Sequence, residues 1–213
     1  MLTVHHLGVS QSERIVWLCE ELNIPYTLVK YPRDPATGLA PEEYRALHPY
    51  GTAPVITDGE ITLAESGAIV QYILARYGDN RLAPPSASPE FADYLYWFHF
   101  SNASLVASCM VEMAFSSVKD KENYPVLTVF SKRTLRAFDM IEERLLHNPY
   151  FAGREFSAAD IMMLFPLTTM RTFIDRDISG YPHLKAYLQR ISARPAWIKA
   201  KQAADPDFTI KLD

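Results

Sequence analysis

A change in hydrophobic pattern near residue 79 divides this chain into two parts that must fold differently. Before that point, short runs of β-forming residues alternate with apolar residues at helical spacing, whereas after residue 88 nearly all of the pattern is helical. Residues 79–88 are rich in proline, serine and other turn-forming residues, as linkers are. We therefore expect an α/β domain over residues 1–79, a linker over residues 80–88 and an all-helical domain over residues 89–213.

The first part predicts the order βαβ, a short helix, a β-hairpin and a helix. The expected strands are residues 2–7, 26–31, 55–57 and 60–63, and the expected helices are residues 13–22, residues 41–47 and a last helix that Gly78 ends. Asp58-Gly59 is a signal for a two-residue hairpin loop. With a right-handed crossover between the first two strands, this order is typical of a thioredoxin-like fold, a small mixed sheet with helices on both faces.

The second part predicts four helices. The first begins at Ser88-Pro89, with serine as the cap and proline in the first turn, and extends to about Val118. The others span about residues 125–146, 157–172 and 182–192. Ser157 and Asp160 have the spacing of a capping box, which stabilises the start of a helix and takes no part in chemistry.

The composition excludes several classes of function. The formal net charge is −4 and no basic run appears, so we expect no nucleic-acid partner. The apolar runs are too short to span a bilayer, and no signal-peptide core follows the N-terminus. Cys19 and Cys109 indicate neither a disulfide framework nor a metal site. A cytoplasmic protein without metal or membrane contact is the expectation.

Two short motifs predict a site for a small, peptide-like anion. Pro54 stands at the start of an apolar strand, which favours a bent X-Pro turn and leaves the backbone of Ala53 free to pair with an extended ligand. Glu65 and Ser66 open a helix, where N–H groups and the positive dipole end suit a carboxylate. The alternatives are an ordinary edge proline and a simple helix cap.

Four passages, in this order and spacing, resemble the cytosolic glutathione S-transferases over essentially the whole chain. They are Ser10-Gln-Ser-Glu-Arg14, Thr52-Ala-Pro54, Glu65-Ser66 and the stretch from Tyr150 to Asp160. The opening, residues 5–22, is similar to a bacterial and fungal branch whose candidate activator of the nucleophile is a serine.

The resemblance implies an enzyme that uses glutathione as a co-substrate, with no prosthetic group. Ser10 matches the position of the family's catalytic serine, which donates a hydrogen bond to the glutathione thiolate; Ser12 is the second candidate. The alternative for Ser10 is a capping box with Glu13. The remaining residues expected to bind glutathione are Thr52, Ala53, cis Pro54, Glu65 and Ser66. How the glycyl carboxylate is held stays open, and so does the choice between Ser10 and Ser12.

The helical domain is expected to hold a small hydrophobic electrophile. Met110, Met113 and Phe115 are the candidates for that pocket, although ordinary core packing is the alternative for each. The resemblance also implies a homodimer, in which Asn102 of one protomer reaches the glutathione of the other. The expected activity is conjugation of glutathione, with hydroperoxide reduction as a related use of the same thiolate. The alternative is a non-catalytic relative that binds ligands or stress-response partners.

Overall fold

The computed structural model describes residues 1–116, 118–120 and 123–212 and divides the chain into two compact units. The first unit contains residues 1–83 together with residues 192–209, and the second contains residues 84–191 together with the residues from Ile210 onward. The segment 192–209 therefore belongs with the sheet, whereas the sequence pattern had assigned it to the helical part.

The first unit is built on a four-stranded sheet in the order β2-β1-β3-β4. Its strands are β1 (Leu2–Leu7), β2 (Thr27–Tyr31), β3 (Val55–Asp58) and β4 (Ile61–Ala64), and its first helices are α1 (Glu13–Leu22), α2 (Glu42–Arg45) and α3 (Ser66–Tyr77). β1 pairs in parallel with β2 and antiparallel with β3, and β3 pairs antiparallel with β4. The thioredoxin-like order expected from the sequence is confirmed.

The hairpin loop lies one residue later than the sequence signal indicated. Asp58 pairs with Ile61, so the two loop residues are Gly59 and Glu60. Gly59 has φ 61°, a backbone conformation that glycine adopts without steric cost. Asp58 stays in β3 because its carboxylate accepts hydrogen bonds from two tyrosines of α3, Tyr72 and Tyr77.

The alternation of β1 sends neighbouring side chains to opposite faces of the sheet. Leu7 packs with Tyr44 of α2 and with Val55 in a buried apolar cluster. His6 lies on the other face, where its ring contacts Ser12 at the start of α1. The end of β1 therefore places a buried imidazole beneath the turn that leads into α1.

A helix that the sequence analysis did not assign, α10 (Pro195–Ala204), packs against α1. The rings of Trp17 and Trp197 meet edge to face with centroids 5.2 Å apart. Glu21 of α1 accepts from Arg194 at 2.7 Å, just before α10 begins. Pro195 could have predicted the start of α10, because proline is favoured at the first position of a helix. α10 brings the residue that follows it, Asp205, to the end of β1.

The second unit is helical, as expected, with different boundaries. Its helices are α4 (Phe91–Phe100), α5 (Ala107–Ala114), α6 (Pro125–His147), α7 (Ala158–Leu167), α8 (Arg171–Ile174) and α9 (Pro182–Ser192), and a π-helical segment, Ser101–Val106, joins α4 to α5. α4 begins at Phe91 rather than at Ser88, because residues 88–91 form a tighter turn in which Phe91 N–H donates to the Ser88 carbonyl. The predicted helix 157–172 is interrupted after Leu167.

A hydrogen bond joins the π-helical segment to α7, and Pro166 explains why its acceptor in α7 is available. Proline has no N–H, so it cannot donate the usual helical hydrogen bond to the carbonyl of Met162, four residues earlier. The buried hydroxyl of Ser101 donates to this carbonyl at 2.5 Å. Every residue of α7 is buried, which makes it the central helix of the second unit.

Candidate functional site

Ser10 lies in the corner between β1 and α1 and is not the cap of the helix. α1 begins at Glu13 with Ser12 in the N-cap position and no side-chain cap hydrogen bond. Ser10 Oγ instead accepts from the Ser12 N–H at 3.2 Å and lies 2.7 Å from the Leu7 carbonyl. The helix thus begins two residues later than a capping box of Ser10 with Glu13 would place it, although Ser10 Oγ does accept an N–H at this corner. Ser10 is 5% exposed, whereas Ser12 has no exposed surface.

Behind Ser10, the buried side chains of Ser12 and His6 and the half-buried side chain of Asp205 continue a line of hydrogen bonds. Ser12 Oγ is 2.8 Å from Ser10 Oγ and 2.9 Å from His6 Nδ1, and His6 Nε2 is 3.0 Å from Asp205 Oδ2. Ser12 and His6 are 0% and 1% exposed. Ser12, the second candidate activator, thus reaches a ligand only through Ser10. The sequence analysis did not anticipate His6 or Asp205.

Asp205 and Arg33 hold the backbone of the corner in a strained conformation. Val9 has φ 51°, where a β-branched residue is a steric outlier. Its N–H donates to Asp205 Oδ1 at 3.1 Å, and its carbonyl accepts from Arg33 Nη2 at 3.1 Å. Burial raises the pKa of Asp205, but the hydrogen bonds and charges of His6, Val9 N–H and Lys201 lower it more, and the net pKa is below its usual value. Asp205 is therefore a carboxylate at neutral pH.

Thr52, Ala53 and Pro54 form the approach to β3. The Ala53–Pro54 peptide bond is cis, as predicted. In the part of the chain that the structure describes, neither the N–H nor the C=O of Ala53 makes a backbone hydrogen bond. Thr52 is exposed and Ala53 half-buried. This short edge can pair with an extended ligand in the manner of an added strand.

Glu65 and Ser66 stand at the start of α3 in different environments. Glu65 is exposed and has φ 70° and ψ 112°, a sparsely populated conformation of the kind that clusters at ligand-binding sites. Ser66 is buried, and its Oγ accepts from Arg14 Nη1 at 3.1 Å. The same Arg14 nitrogen donates to the Gln11 side chain. Arg14 and Gln11 thus join the β1–α1 corner to the start of α3, a role that the sequence motif did not reveal.

Arg14 is a buried cation beneath this surface. Burial lowers its pKa to about 9, and the neighbouring Glu13 opposes that shift. The guanidinium is still charged at neutral pH. Its positive charge adds to the positive end of the α3 dipole, and both favour an anion at the start of that helix.

The four candidates of the second unit lie on the π-helical segment, on α5 and at Phe115, the residue that follows α5. Asn102 is the second residue of the π-helical segment, a type of irregularity frequent at functional sites. Met110 is exposed and Met113 half-buried, three residues apart on α5. Phe115 lines a cavity of about 250 Å³ together with Glu112 and Arg176, and neither methionine lines it. The three residues expected in one electrophile pocket are thus divided between two surfaces.

The two cysteines are unsuited to nucleophilic chemistry. Cys19 and Cys109 are both buried free thiols. Burial raises the pKa of Cys109 to about 12 and raises that of Cys19 further. Among the described residues, no cluster of His, Cys, Asp and Glu is arranged to hold a metal ion. None of the described helices combines the length and hydropathy needed to cross a bilayer.

Both parts of the chain match known protein families. Residues 5–81 match the family described as glutathione S-transferase, N-terminal domain, and residues 106–195 match glutathione S-transferase, C-terminal domain. Glutathione S-transferase 3 of Schizosaccharomyces pombe is 34% identical over 100% of this chain and 92% of that protein.

Solved structures give the same picture. A glutathione S-transferase from Actinobacillus pleuropneumoniae is 32% identical, with a TM-score of 0.88 and coverage of 98% of this chain and 97% of that chain. A sphingomonad glutathione S-transferase complexed with glutathione has a TM-score of 0.77 at 23% identity, covering 95% of this chain and 98% of that chain, and shares the fold.

Proposed function

Because this chain belongs to the glutathione S-transferase family, whose co-substrate is glutathione, we propose that it joins the glutathione thiolate to small hydrophobic electrophiles. The observation that carries this proposal is the Ser10 hydroxyl, slightly exposed at the corner before α1. An anion at this corner also faces the positive end of the α1 dipole.

Ser10 is proposed as the donor that stabilises the thiolate. The thiolate is the nucleophile, and a free thiol has a pKa of about 8.5. Lowering that pKa by about two units requires about 2.7 kcal/mol of selective stabilisation of the anion, at about 1.36 kcal/mol per unit. A hydrogen bond to a charged group contributes about 1.5–3 kcal/mol, so one well-directed hydroxyl supplies an effect of this size.

The rest of the tripeptide is proposed to bind along the edge from Thr52 to Ser66. Ala53 pairs with the cysteinyl backbone through its unpaired N–H and C=O, next to Pro54. At the start of α3, Glu65 takes the ammonium of the γ-glutamyl end, and the hydroxyl and N–H of Ser66 take its carboxylate. The buried charge of Arg14, bonded to Ser66 Oγ, strengthens the attraction for that carboxylate.

Calorimetric titration with glutathione tests this binding site. We expect the wild-type chain to bind glutathione in the micromolar to millimolar range. The double variant Glu65→Ala, Ser66→Ala should bind at least about tenfold more weakly, because it loses the Glu65 carboxylate and the Ser66 hydroxyl at the start of α3. Glu60→Ala, an exposed carboxylate of the hairpin loop, is the matched control and should bind normally. A wild-type chain that binds no glutathione would refute the transferase proposal and favour a non-catalytic ligand-binding role.

The second unit is proposed to supply the electrophile site and a two-fold interface. Met110 and Met113 remain the proposed electrophile contacts, and Phe115 with the cavity beside Arg176 is a separate candidate. For the interface, a groove of about 400 Å³ between the α4–α5 segment and α6 is lined by apolar and basic residues, including Phe100, Ala107 and Met140. A second copy of the chain is the proposed occupant, with Asn102 close to this surface in sequence.

A charge placed in the groove tests the homodimer. We expect the wild-type chain to sediment with the mass of a dimer, and Met140→Glu to shift it towards the monomer, because a carboxylate in an apolar interface loses its hydration. Leu146→Glu, a similarly exposed position on α6 outside the groove, is the control and should stay dimeric. A monomeric wild-type chain would contradict the proposal.

A further inference from the structure

We propose that His6 accepts the proton of the glutathione thiol, relayed through the hydroxyl groups of Ser10 and Ser12, with Asp205 stabilising the resulting imidazolium. This inference rests on the proposed function, because it assigns a destination to the proton that leaves when the thiolate forms. It stands on the continuous line of short contacts from Ser10 Oγ to Asp205 Oδ2.

The resting hydrogen bonds have a defined direction. An ionised carboxylate only accepts, so the His6 Nε2–H donates to Asp205, and Nδ1 keeps its lone pair. The single proton of Ser12 has two acceptors in reach, His6 Nδ1 at 2.9 Å and the Leu7 carbonyl at 3.2 Å, and the relay uses the first, which leaves Ser12 Oγ as an acceptor for Ser10. The Ser10 proton has two acceptors in reach, the Leu7 carbonyl at 2.7 Å and Ser12 Oγ at 2.8 Å, and the relay uses the second.

Proton transfer reverses that direction in one concerted shift. The thiol S–H bond breaks and its proton goes to Ser10 Oγ, the Ser10 proton goes to Ser12 Oγ, and the Ser12 proton goes to His6 Nδ1. One S–H and two O–H bonds break, and two O–H bonds and one N–H bond form. The products are a thiolate that accepts from the Ser10 hydroxyl and an imidazolium paired with Asp205. When the thiolate displaces an anionic leaving group, the proton on His6 passes to the buffer.

Because Ser12 is buried, these residues cannot act as a catalytic triad with a nucleophilic serine. Asp, His and Ser in hydrogen-bonded order also form the triad of a nucleophilic serine. Ser12 has no exposed surface, however, and therefore cannot attack a substrate. Only Ser10 meets a ligand at the corner, so His6 and Asp205 act through it as positioning and proton-holding residues.

Charged side chains of both signs lie near His6. Asp205 is the carboxylate in contact with the ring, and Asp207 lines the same cleft. The cations nearby are Lys30, opposite His6 in the β1–β2 register, Lys201, which donates to the Asp205 backbone carbonyl, and Arg33, whose charge interacts with that of Asp205. Because no contact of these three cations with the ring is seen in the described structure, the Asp205 carboxylate at 3.0 Å is the closest charge to the imidazole.

The end of the relay formed by His6 and Asp205 borders a cleft that is open to solvent. His6 and Asp205 line an open cleft of about 510 Å³ together with Gly8, Pro32 and Phe208. Through this cleft, His6 can return its proton to the buffer after each turnover without passing it back through Ser10.

Proton counting on the wild-type chain tests the relay directly. Glutathione is titrated into the protein by calorimetry in two buffers of different ionisation enthalpy, and the bound thiolate is measured by its ultraviolet absorbance at the same pH. We expect a thiolate to form with clearly less than one proton released per thiolate, because His6 retains it. Release of one full proton per thiolate would overturn the relay while leaving the transferase proposal intact. Failure to bind glutathione at all would overturn both.

Two variants test whether the retained proton is on His6. His6→Gln keeps a donor for Asp205 and removes the titratable ring, so it should release one proton per thiolate, form the thiolate at higher pH and lose about tenfold or more in kcat/KM. Asp205→Asn keeps an oxygen for the Val9 N–H, but its amide group donates to His6 and forces the wrong tautomer, so we expect the same changes.

The neighbouring histidine is the matched control. His5 lies on the opposite face of β1, where its ring contacts Tyr31 and Thr57. His5→Gln should leave the proton count, the pH of thiolate formation and kcat/KM unchanged. If His6→Gln behaves like His5→Gln, the relay is wrong, whatever the stability of either variant.

Discussion

Ser10→Ala is expected to reduce kcat/KM for glutathione conjugation at least about tenfold, with little change in affinity for glutathione. The reason is that an alanine side chain cannot donate to the thiolate, and a hydrogen bond to a charged group contributes about 1.5–3 kcal/mol. Since about 1.4 kcal/mol corresponds to a factor of ten, the lower end of that range already gives the expected loss. Steady-state kinetics with an aromatic electrophile and calorimetry of glutathione binding measure the two quantities separately.

The conservative variant separates chemistry from structure at this position. Ser10→Thr keeps a hydroxyl on the same carbon and should retain more activity than Ser10→Ala, whereas a purely structural role would make the larger threonine the worse replacement at this 5% exposed site. An unchanged kcat/KM in Ser10→Ala would show that the hydroxyl serves only the hydrogen bond to the Leu7 carbonyl.

Asp160→Ala is expected to lower the free energy of unfolding by at least about 3 kcal/mol. Its carboxylate is fully buried and accepts from the N–H groups of Phe151 and Ser157 and from the hydroxyl of Tyr187. Each buried donor left without an acceptor costs about 1–3 kcal/mol. Burial raises the pKa of Asp160 to about 6, against the effect of these hydrogen bonds, so the measurement belongs at pH 8, where the group is ionised. Urea unfolding followed by circular dichroism gives the value.

The cap residue itself provides the comparison for Asp160. Ser157→Ala removes a hydroxyl that accepts from the Ala159 N–H and donates to Asp160, but it leaves the other acceptor contacts of Asp160 in place, and the loss of a cap costs about 1 kcal/mol. Asp160 should therefore be clearly more sensitive than Ser157. Equal losses in the two variants would mean that the contacts of Asp160 with Phe151 and Tyr187 contribute nothing.

Local signals were sufficient to predict the fold and part of the site. β-branched runs, glycine stops and a proline before a strand each act within a few residues, so the sheet order, the capping box and the cis bond before Pro54 followed from the sequence. Glu65 and Ser66 were found because a helix start has a local signature.

The rest of the site depends on contacts between residues that are distant in sequence. Nothing around His6 indicates that its partner is Asp205, and Arg14 contacts Ser66 across 52 positions. The packing of α10 was missed because its apolar face contacts α1, which lies far away in the sequence. Likewise, the Met162 carbonyl that Pro166 cannot reach accepts from Ser101, and a serine 61 positions from Met162 carries no local signal for that role.

The position of Asp205 near the end of the chain also affects when the corner before α1 can form. Its hydrogen bonds to His6 and Val9 join residues 199 and 196 positions apart. Because synthesis proceeds from the N-terminus, the sheet can form on the ribosome long before this carboxylate exists. The corner before α1 is completed only when the segment after α10 has emerged and folded back. A chain cut after Ala204 would lack the carboxylate that accepts from the Val9 N–H and contacts His6, so we expect its corner before α1 to lose the conformation described above.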